Sequence, residues 1–274
     1  MLAGATEFAV WVWLTNSLAA REAFVLAGLR LLRPLWAKAG TRFSRMLIAS
    51  LLIAVGLVCG SLFFWPFLIV GVGLPALGDL CATTIGDRIT VERRAAAWAW
   101  LDMGQGLGAA LGFALGHAGW SWPLCLAALA IGIIGIPALR DGGMPRSSWP
   151  AAEYVHTLRT PLAAQLTGLA FASGLLSARA NVSLATGIVV PLAAMALATR
   201  VEPRMPNGIW LPRIATALAL AGQLWPPLRV FGLGMMFAAI PAAVARGAGE
   251  MERPIASSIS WSALFLGAAV GAAF

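Results

Sequence analysis

What most limits the fold of this chain is the length of its uncharged apolar stretches. Residues 46–66, 123–139, 186–198 and 230–245 each run without one charged side chain. A helix needs roughly 20 apolar residues to cross a hydrocarbon core about 30 Å thick, whereas a surface helix of a soluble domain keeps one charged face. The whole chain agrees, with 60% of its 274 residues hydrophobic and 11% charged, against about 25% charged in soluble domains. A soluble core closed by a chain of this length cannot hold that much apolar side chain. The excess faces lipid. That excludes a soluble enzyme, a disordered chain, a coiled coil and a disulfide scaffold. Only helices and closed barrels satisfy the backbone inside a bilayer, and a barrel would show roughly ten-residue alternating segments. These runs are continuous, so the expected fold class is an all-α polytopic membrane protein.

Breaks at charges and at Gly/Pro clusters place about eleven spans, at 2–19, 22–37, 46–64, 67–85, 95–114, 122–139, 160–176, 182–198, 209–224, 228–245 and 255–274. The charges test that reading, because cytoplasmic turns carry the Lys/Arg excess. With the N-terminus inside, sixteen basic residues fall on the cytoplasmic side and only Arg21, Arg179 and Arg229 on the other. The net charge of +8 is therefore topology, and nucleic acid is not expected as a partner. The far-side turns carry Trp65, Trp120, Trp122 and Trp225, which fits an interfacial aromatic belt. The expected location is the cytoplasmic (inner) membrane with the N-terminus cytoplasmic. The first residues enter a span-like segment without a basic leader, so no signal peptide is expected.

The longest connector, 140–159, holds Asp141, Gly142, Gly143, Pro145, Pro150 and the single tyrosine, Tyr154. It divides the chain into a six-helix half (1–139), a cytoplasmic linker (140–159) and a half of about five helices (160–274).

Several segments resemble the major facilitator superfamily, in its sugar-efflux and drug-antiporter branch. Gly4-Ala5-Thr6-Glu7-Phe8 resembles the opening of that branch's first helix. Gly40-Thr41-Arg42-Phe43-Ser44-Arg45 is similar to a worn form of the basic loop between helices two and three. The run 86–95, with Asp87, Arg88, Glu92, Arg93 and Arg94, resembles the loop between helices four and five. Gly108, Gly112 and Gly116, with Phe113 and His117, resemble the antiporter pattern G-x-x-x-G-P-x-x-G-G. The stretch 255–271 resembles the eleventh helix. The resemblance implies two pseudo-repeated bundles. The sequence departs from it in four places: it holds no residues for a twelfth helix, the first two expected spans are short, Thr41 replaces the acidic residue of the basic loop, and no arginine occurs between Arg45 and Arg88. The last departure speaks against proton-driven antiport.

Ionisable groups at membrane depth are functional candidates, because hydrocarbon makes each costly. Glu7, Asp79, Asp102 and Gln105 qualify as transport or proton-site candidates. Asp102 and Gln105 share one helix face. Burial favours the protonated form of a carboxylate, which would let Glu7 or Asp79 exchange a proton. The structural alternative is a carboxylate satisfied by a hydroxyl or arginine of a neighbouring helix. Gly108, Gly112 and Gly116 form a helix-packing motif that allows close backbone approach. Arg30 and Arg33 could pair with Asp87 or Glu92, beside Arg93 and Arg94, as a cytoplasmic charge latch, or could simply anchor topology. Gln165, Asn181, Gln223, Ser257, Ser258 and Ser260 could line a midplane cavity, or bond back to their own helices.

Cys59, Cys81 and Cys125 read as small core residues, and His117 and His156 are too far apart for a metal cluster. No nucleophile elbow, P-loop or dinucleotide fingerprint is present. No cofactor, no metal and no enzymatic activity are expected. Two functions remain: a secondary-active transporter moving a small amphiphilic or sugar-like solute by alternating access, or a transporter-derived, non-transporting subunit or assembly factor held among partner membrane subunits. The lipid bilayer is the partner common to both.

Overall fold

The computed structural model describes residues 2–17, 25, 28, 29, 36, 42–60, 65–88, 91–138, 151–178, 182–249 and 252–273. Among them lie eleven α-helices: α1 (Leu2–Ser17), α2 (Arg42–Gly60), α3 (Trp65–Arg88), α4 (Val91–Ala118), α5 (Trp122–Ala138), α6 (Ala151–Arg159), α7 (Pro161–Ser177), α8 (Leu184–Val201), α9 (Trp210–Ala221), α10 (Pro226–Gly247) and α11 (Arg253–Ala273), with a short 3-10 turn at Glu202–Arg204. No strand occurs among the described residues. The all-helical expectation holds. The expected span at 22–37 lies almost wholly outside the described residues.

Two elements differ from the sequence reading. The expected linker contains helix α6, which starts directly after Pro150, at the helix start where a preceding proline is tolerated. Helix α4 runs for 28 residues through all five of its glycines, of which Gly108 and Gly112 pack against α1. By length and composition, Leu184–Arg204, Pro226–Gly247 and Ile255–Ala272 are long and apolar enough to cross a membrane, and the other apolar helices found among the described residues are shorter.

Sequence-local signals set several helix ends. Thr160 caps α7, its hydroxyl accepting from Ala163 N at 3.4 Å, with Pro161 opening the helix. Ser183 does the same for α8 through Thr186 N at 3.2 Å, each satisfying an amide that the first turn leaves unpaired. Gly119 ends α4 with φ of 70°, and Trp120 N bonds back to Leu115 O at 2.9 Å. A left-handed residue past the last turn is what closes such a cap, and glycine reaches it without strain.

The chain divides into two compact units, Met1–Ser17 with Gly28–Trp149, and Leu18–Ala27 with Pro150–Phe274. In the first, α1 is buried nearly all round through Phe8, Val10, Trp11 and Leu14, the pattern of a central helix. Its Trp13 ring sits 5.9 Å from Phe67 of α3. Helix α2 buries Ala49, Ile53 and Leu57 at helical spacing and turns Ile48, Leu51, Val55 and Val58 outward. That outer face is apolar, as a lipid-facing stripe must be.

In the second unit α10 is the central element, buried from Val230 to Val244 and packed against α7, α8, α9 and α11. Phe237 meets Trp261 of α11 edge-on at 5.2 Å. Pro191 in α8 and Pro241 in α10 stand inside helices, which membrane helices tolerate when neighbours take up the freed carbonyls.

One close helix pair recurs in both units. A Cβ on Gly108 or Gly112 of α4 would collide with the carbonyl oxygens of Ala5 and Ala9 of α1. A Cβ on Gly267 or Gly271 of α11 would meet the carbonyl oxygens of Phe171 and Leu175 of α7. The steps are four residues on all four helices. Ala5 thus corresponds to Phe171 and Ala9 to Leu175, and Glu7, midway between its pair, corresponds to Ser173.

Candidate functional site

Glu7 is brought into the core of the first unit by its place in the largely apolar, buried helix α1, flanked by Thr6 and Phe8, which are also buried. It is 1% exposed. Its carboxylate lies against Gly78 of α3: a Cβ at position 78 would stand 2.7 Å from Oε2 and 2.9 Å from Oε1. The missing side chain of Gly78 is the space that the carboxylate occupies. Gln105 of α4 is half-buried and packs against α1 one turn earlier, its Cγ 3.3 Å from where a Gly4 Cβ would be. Of the four transport candidates, the structure therefore places Glu7 on α1 and Gln105 on α4, the helix packed against it.

For Asp79 and Asp102 the backbone is helical, in α3 and α4, and their side chains lie outside the described residues. The expected charge latch lies outside them as well. Arg30 and Arg33 fall beyond the described chain, and for Asp87, Glu92, Arg93 and Arg94 only the helical backbone is described. Of the packing glycines, Gly108 and Gly112 make the contact with α1, while Gly116 sits half-exposed near the end of α4.

The corresponding place in the second unit holds hydroxyls instead of a carboxylate. Ser173 is fully buried and its Oγ lies 3.0 Å from Thr216 Oγ1 of α9. Thr216 donates to Pro212 O at 2.9 Å, so the Ser173 hydroxyl is the donor of the pair. Ser258 and Ser260 on α11 are fully buried and Ser262 is nearly so. The Oγ atoms of Ser260 and Ser262 meet no hydrogen-bond partner among the described residues. Gln165 accepts from Arg213 Nη2 at 3.1 Å, and Gln223 donates to Leu176 O at 3.1 Å from an exposed position. Neither sits at mid-depth, because each lies beside a helix terminus. Asn181 lies outside the described residues.

Sequence reasoning missed Ser173, Thr216 and the burial of Arg45. Arg45 is 3% exposed near the start of α2, with Nη1 donating to Trp36 O at 3.3 Å. Trp36 in turn donates from Nε1 to Val72 O of α3 at 2.8 Å. An arginine counted only as a marker of the inner surface is thus a packing element between α2, α3 and the segment before them. No group of three or more metal-ligating side chains gathers among the described residues.

No family model matches the sequence, and no curated protein is found similar to it. Solved structures do match in fold. A POT family transporter, crystallised in complex with a thioalcohol-conjugated peptide, shares 11% identity at a TM-score of 0.67, covering 99% of this chain and 88% of that one. A bacterial homologue of the human lysosomal transporter Spinster, in an inward-facing unoccupied conformation, shares 16% identity at a TM-score of 0.57, covering 99% of this chain and 78% of that one. Both are of major-facilitator type. The chain has the fold of those membrane transporters.

Proposed function

We propose that the chain is a secondary-active transporter of a small solute, working by alternating access between halves 1–139 and 160–274 joined by 140–159. The observation that carries the reading is Glu7, a carboxylate 1% exposed on the central helix of a transporter fold. A carboxylate buried inside a membrane bundle is a functional candidate by default, because an apolar surrounding makes its charge costly to keep. The internal comparison adds weight, since Ser173 occupies the equivalent place in the second unit. A helix pair of the same geometry packs there without an acid, so packing alone does not call for Glu7. Gln105, Asp79 and Asp102 complete the proposed polar lining of the first half. Glu7 and Asp79 are its proton-exchanging members, and Arg30, Arg33, Asp87, Glu92, Arg93 and Arg94 form an inner-face latch.

The sequence resemblance points to the sugar-efflux and drug-antiporter branch and to an inner-membrane location with the N-terminus inside. The test is flux in proteoliposomes loaded with sugars or amphiphilic dyes, with and without a proton gradient. Glu7→Gln should abolish gradient-dependent flux, and Asp79→Asn should reduce it. Unchanged flux in both single variants and in the double would remove the mechanism. A chain that carries no solute and purifies in mild detergent only together with other membrane subunits would favour the docked, non-transporting reading.

A further inference from the structure

At the arginine-bearing end of the second unit a cleft of about 500 Å³ opens between the start of α7, the turn before α9 and the end of α10. Its polar side-chain lining is Gln165, Asn207 and Arg246, with Gly208 among the apolar residues that complete it. The two side-chain amide oxygens that line it are each engaged once. Asn207 Oδ1 takes the Ile209 amide at 3.2 Å, and Gln165 Oε1 takes Arg213 Nη2 at 3.1 Å. Both side chains also present their NH2 group, which can only donate. Arg246 is steered by Glu202, Nε to Oε1 at 2.6 Å, and by Met205 O at 3.2 Å from Nη1, leaving Nη2 to point elsewhere. Arg213, which reaches the cleft through its bond to Gln165, stacks over the Trp210 ring, 5.5 Å from its centroid.

A cleft that offers two amide NH2 groups and the Arg246 guanidinium, with Arg213 one hydrogen bond away through Gln165 and Glu202 the one carboxylate paired against them, favours an oxyanion. Trp210 is 43% exposed beside it, and a tryptophan stacked with an arginine marks headgroup depth. Basic pockets between membrane helices at this level recognise anionic headgroups. We infer that the cleft lined by Gln165, Asn207 and Arg246, with Arg213 held beside it by Gln165, is a binding site for a phosphate group carried on an anionic phospholipid. The inference does not depend on transport. It needs only that this end of the unit meets the membrane surface, which the apolar helices below it dictate.

Native mass spectrometry of the purified chain, released from neutral detergent after equilibration with phosphatidylglycerol, phosphatidylcholine or inorganic phosphate, tests it. The wild-type chain should retain one phosphatidylglycerol at concentrations where phosphatidylcholine is lost. Arg213→Gln with Asn207→Ala should weaken retention about ten-fold, the effect of losing one charged hydrogen bond. Arg213→Lys, which keeps the charge, should restore most of the retention in a fold judged intact by its melting temperature. Equal retention of both lipids, or no loss in the double variant, overturns the site. Millimolar phosphate displacing the lipid fully, with no preference for phosphatidylglycerol, overturns the lipid as the source and leaves a free anion.

Discussion

The carboxylate of Glu7 fills the place where Gly78 would carry a side chain, with Oε2 only 2.7 Å from the missing Cβ. That distance is shorter than two non-bonded heavy atoms tolerate, so the two positions are coupled. Gly78→Ala should therefore destabilise the protein by about 1–3 kcal/mol, the usual cost of overpacking a tight interior. In a Glu7→Ala background the same substitution should cost close to nothing, because the obstructing oxygens are gone. A double-mutant cycle on melting temperature in detergent checks this. Additive effects would show that the carboxylate moves aside freely.

The glycines of the close pairs should separate from the glycines that touch nothing. Gly267→Ala places its methyl against the Phe171 carbonyl and Gly108→Ala against that of Ala5, and a backbone oxygen cannot step aside as a side chain can. Each should cost about 2 kcal/mol or more. Gly168, on α7, has no atom within 4 Å of a Cβ. Gly168→Ala should raise stability by about 0.5–1 kcal/mol through lost unfolded-state freedom. Melting curves of the three variants in one detergent settle the ordering. Similar losses at 108 and 267 are what the matched registers of the two pairs require.

The sequence showed the helices more clearly than their partners. Runs such as 230–245 announce α10 because lipid and core both reject charge, so burial and exposure read alike along them. Glu7 stood out for the same reason, as the lone acid in an apolar helix. Helix α6 did not, since Gly142, Gly143, Pro145 and Pro150 dominate that connector, and the nine residues after Pro150 carry too little apolar periodicity to compete with them. Ser173 and Thr216 were illegible for a different reason. A membrane-helix hydroxyl can bond to its own helix, and only the register of α7 against α9 turns these two towards each other. Likewise, Gln165 and Gln223 looked like cavity residues because they fall within apolar spans, whereas helix ends hold them beside Arg213 and Leu176 O.

The hydroxyl pair makes a modest prediction. Ser173→Ala removes the donor, yet Thr216 keeps its bond to Pro212 O at 2.9 Å and a longer one to Leu169 O at 3.3 Å. No buried donor is left unpaired, so the loss should be about 0.6 kcal/mol, the average for an interhelical hydrogen bond in a membrane protein. Thr216→Val should cost more, since the Ser173 hydroxyl, fully buried, then lacks its acceptor. Chemical denaturation of the two variants distinguishes them, and a larger loss for Ser173→Ala would reverse the assigned donor.

The ion pair between Arg246 and Glu202 should behave asymmetrically. The two side chains are 35% and 22% exposed, respectively, so the carboxylate is the more deeply held partner. Arg246→Gln leaves that carboxylate without its counter-charge and removes the bond to Met205 O. Glu202→Gln leaves the guanidinium with Met205 O at 3.2 Å and with access to water. The arginine variant should therefore lose about 1 kcal/mol more than the glutamate variant, and the double variant less than the sum. Part of the difference is Coulombic at a partly wet site, where salt screens within about 10 Å at 0.1 M. Melting temperatures taken from low salt to molar salt should show the gap narrowing without closing, because the hydrogen bond to Met205 persists when the charge term is screened. A gap that vanishes entirely would mean that the arginine holds the 202–208 turn by charge alone.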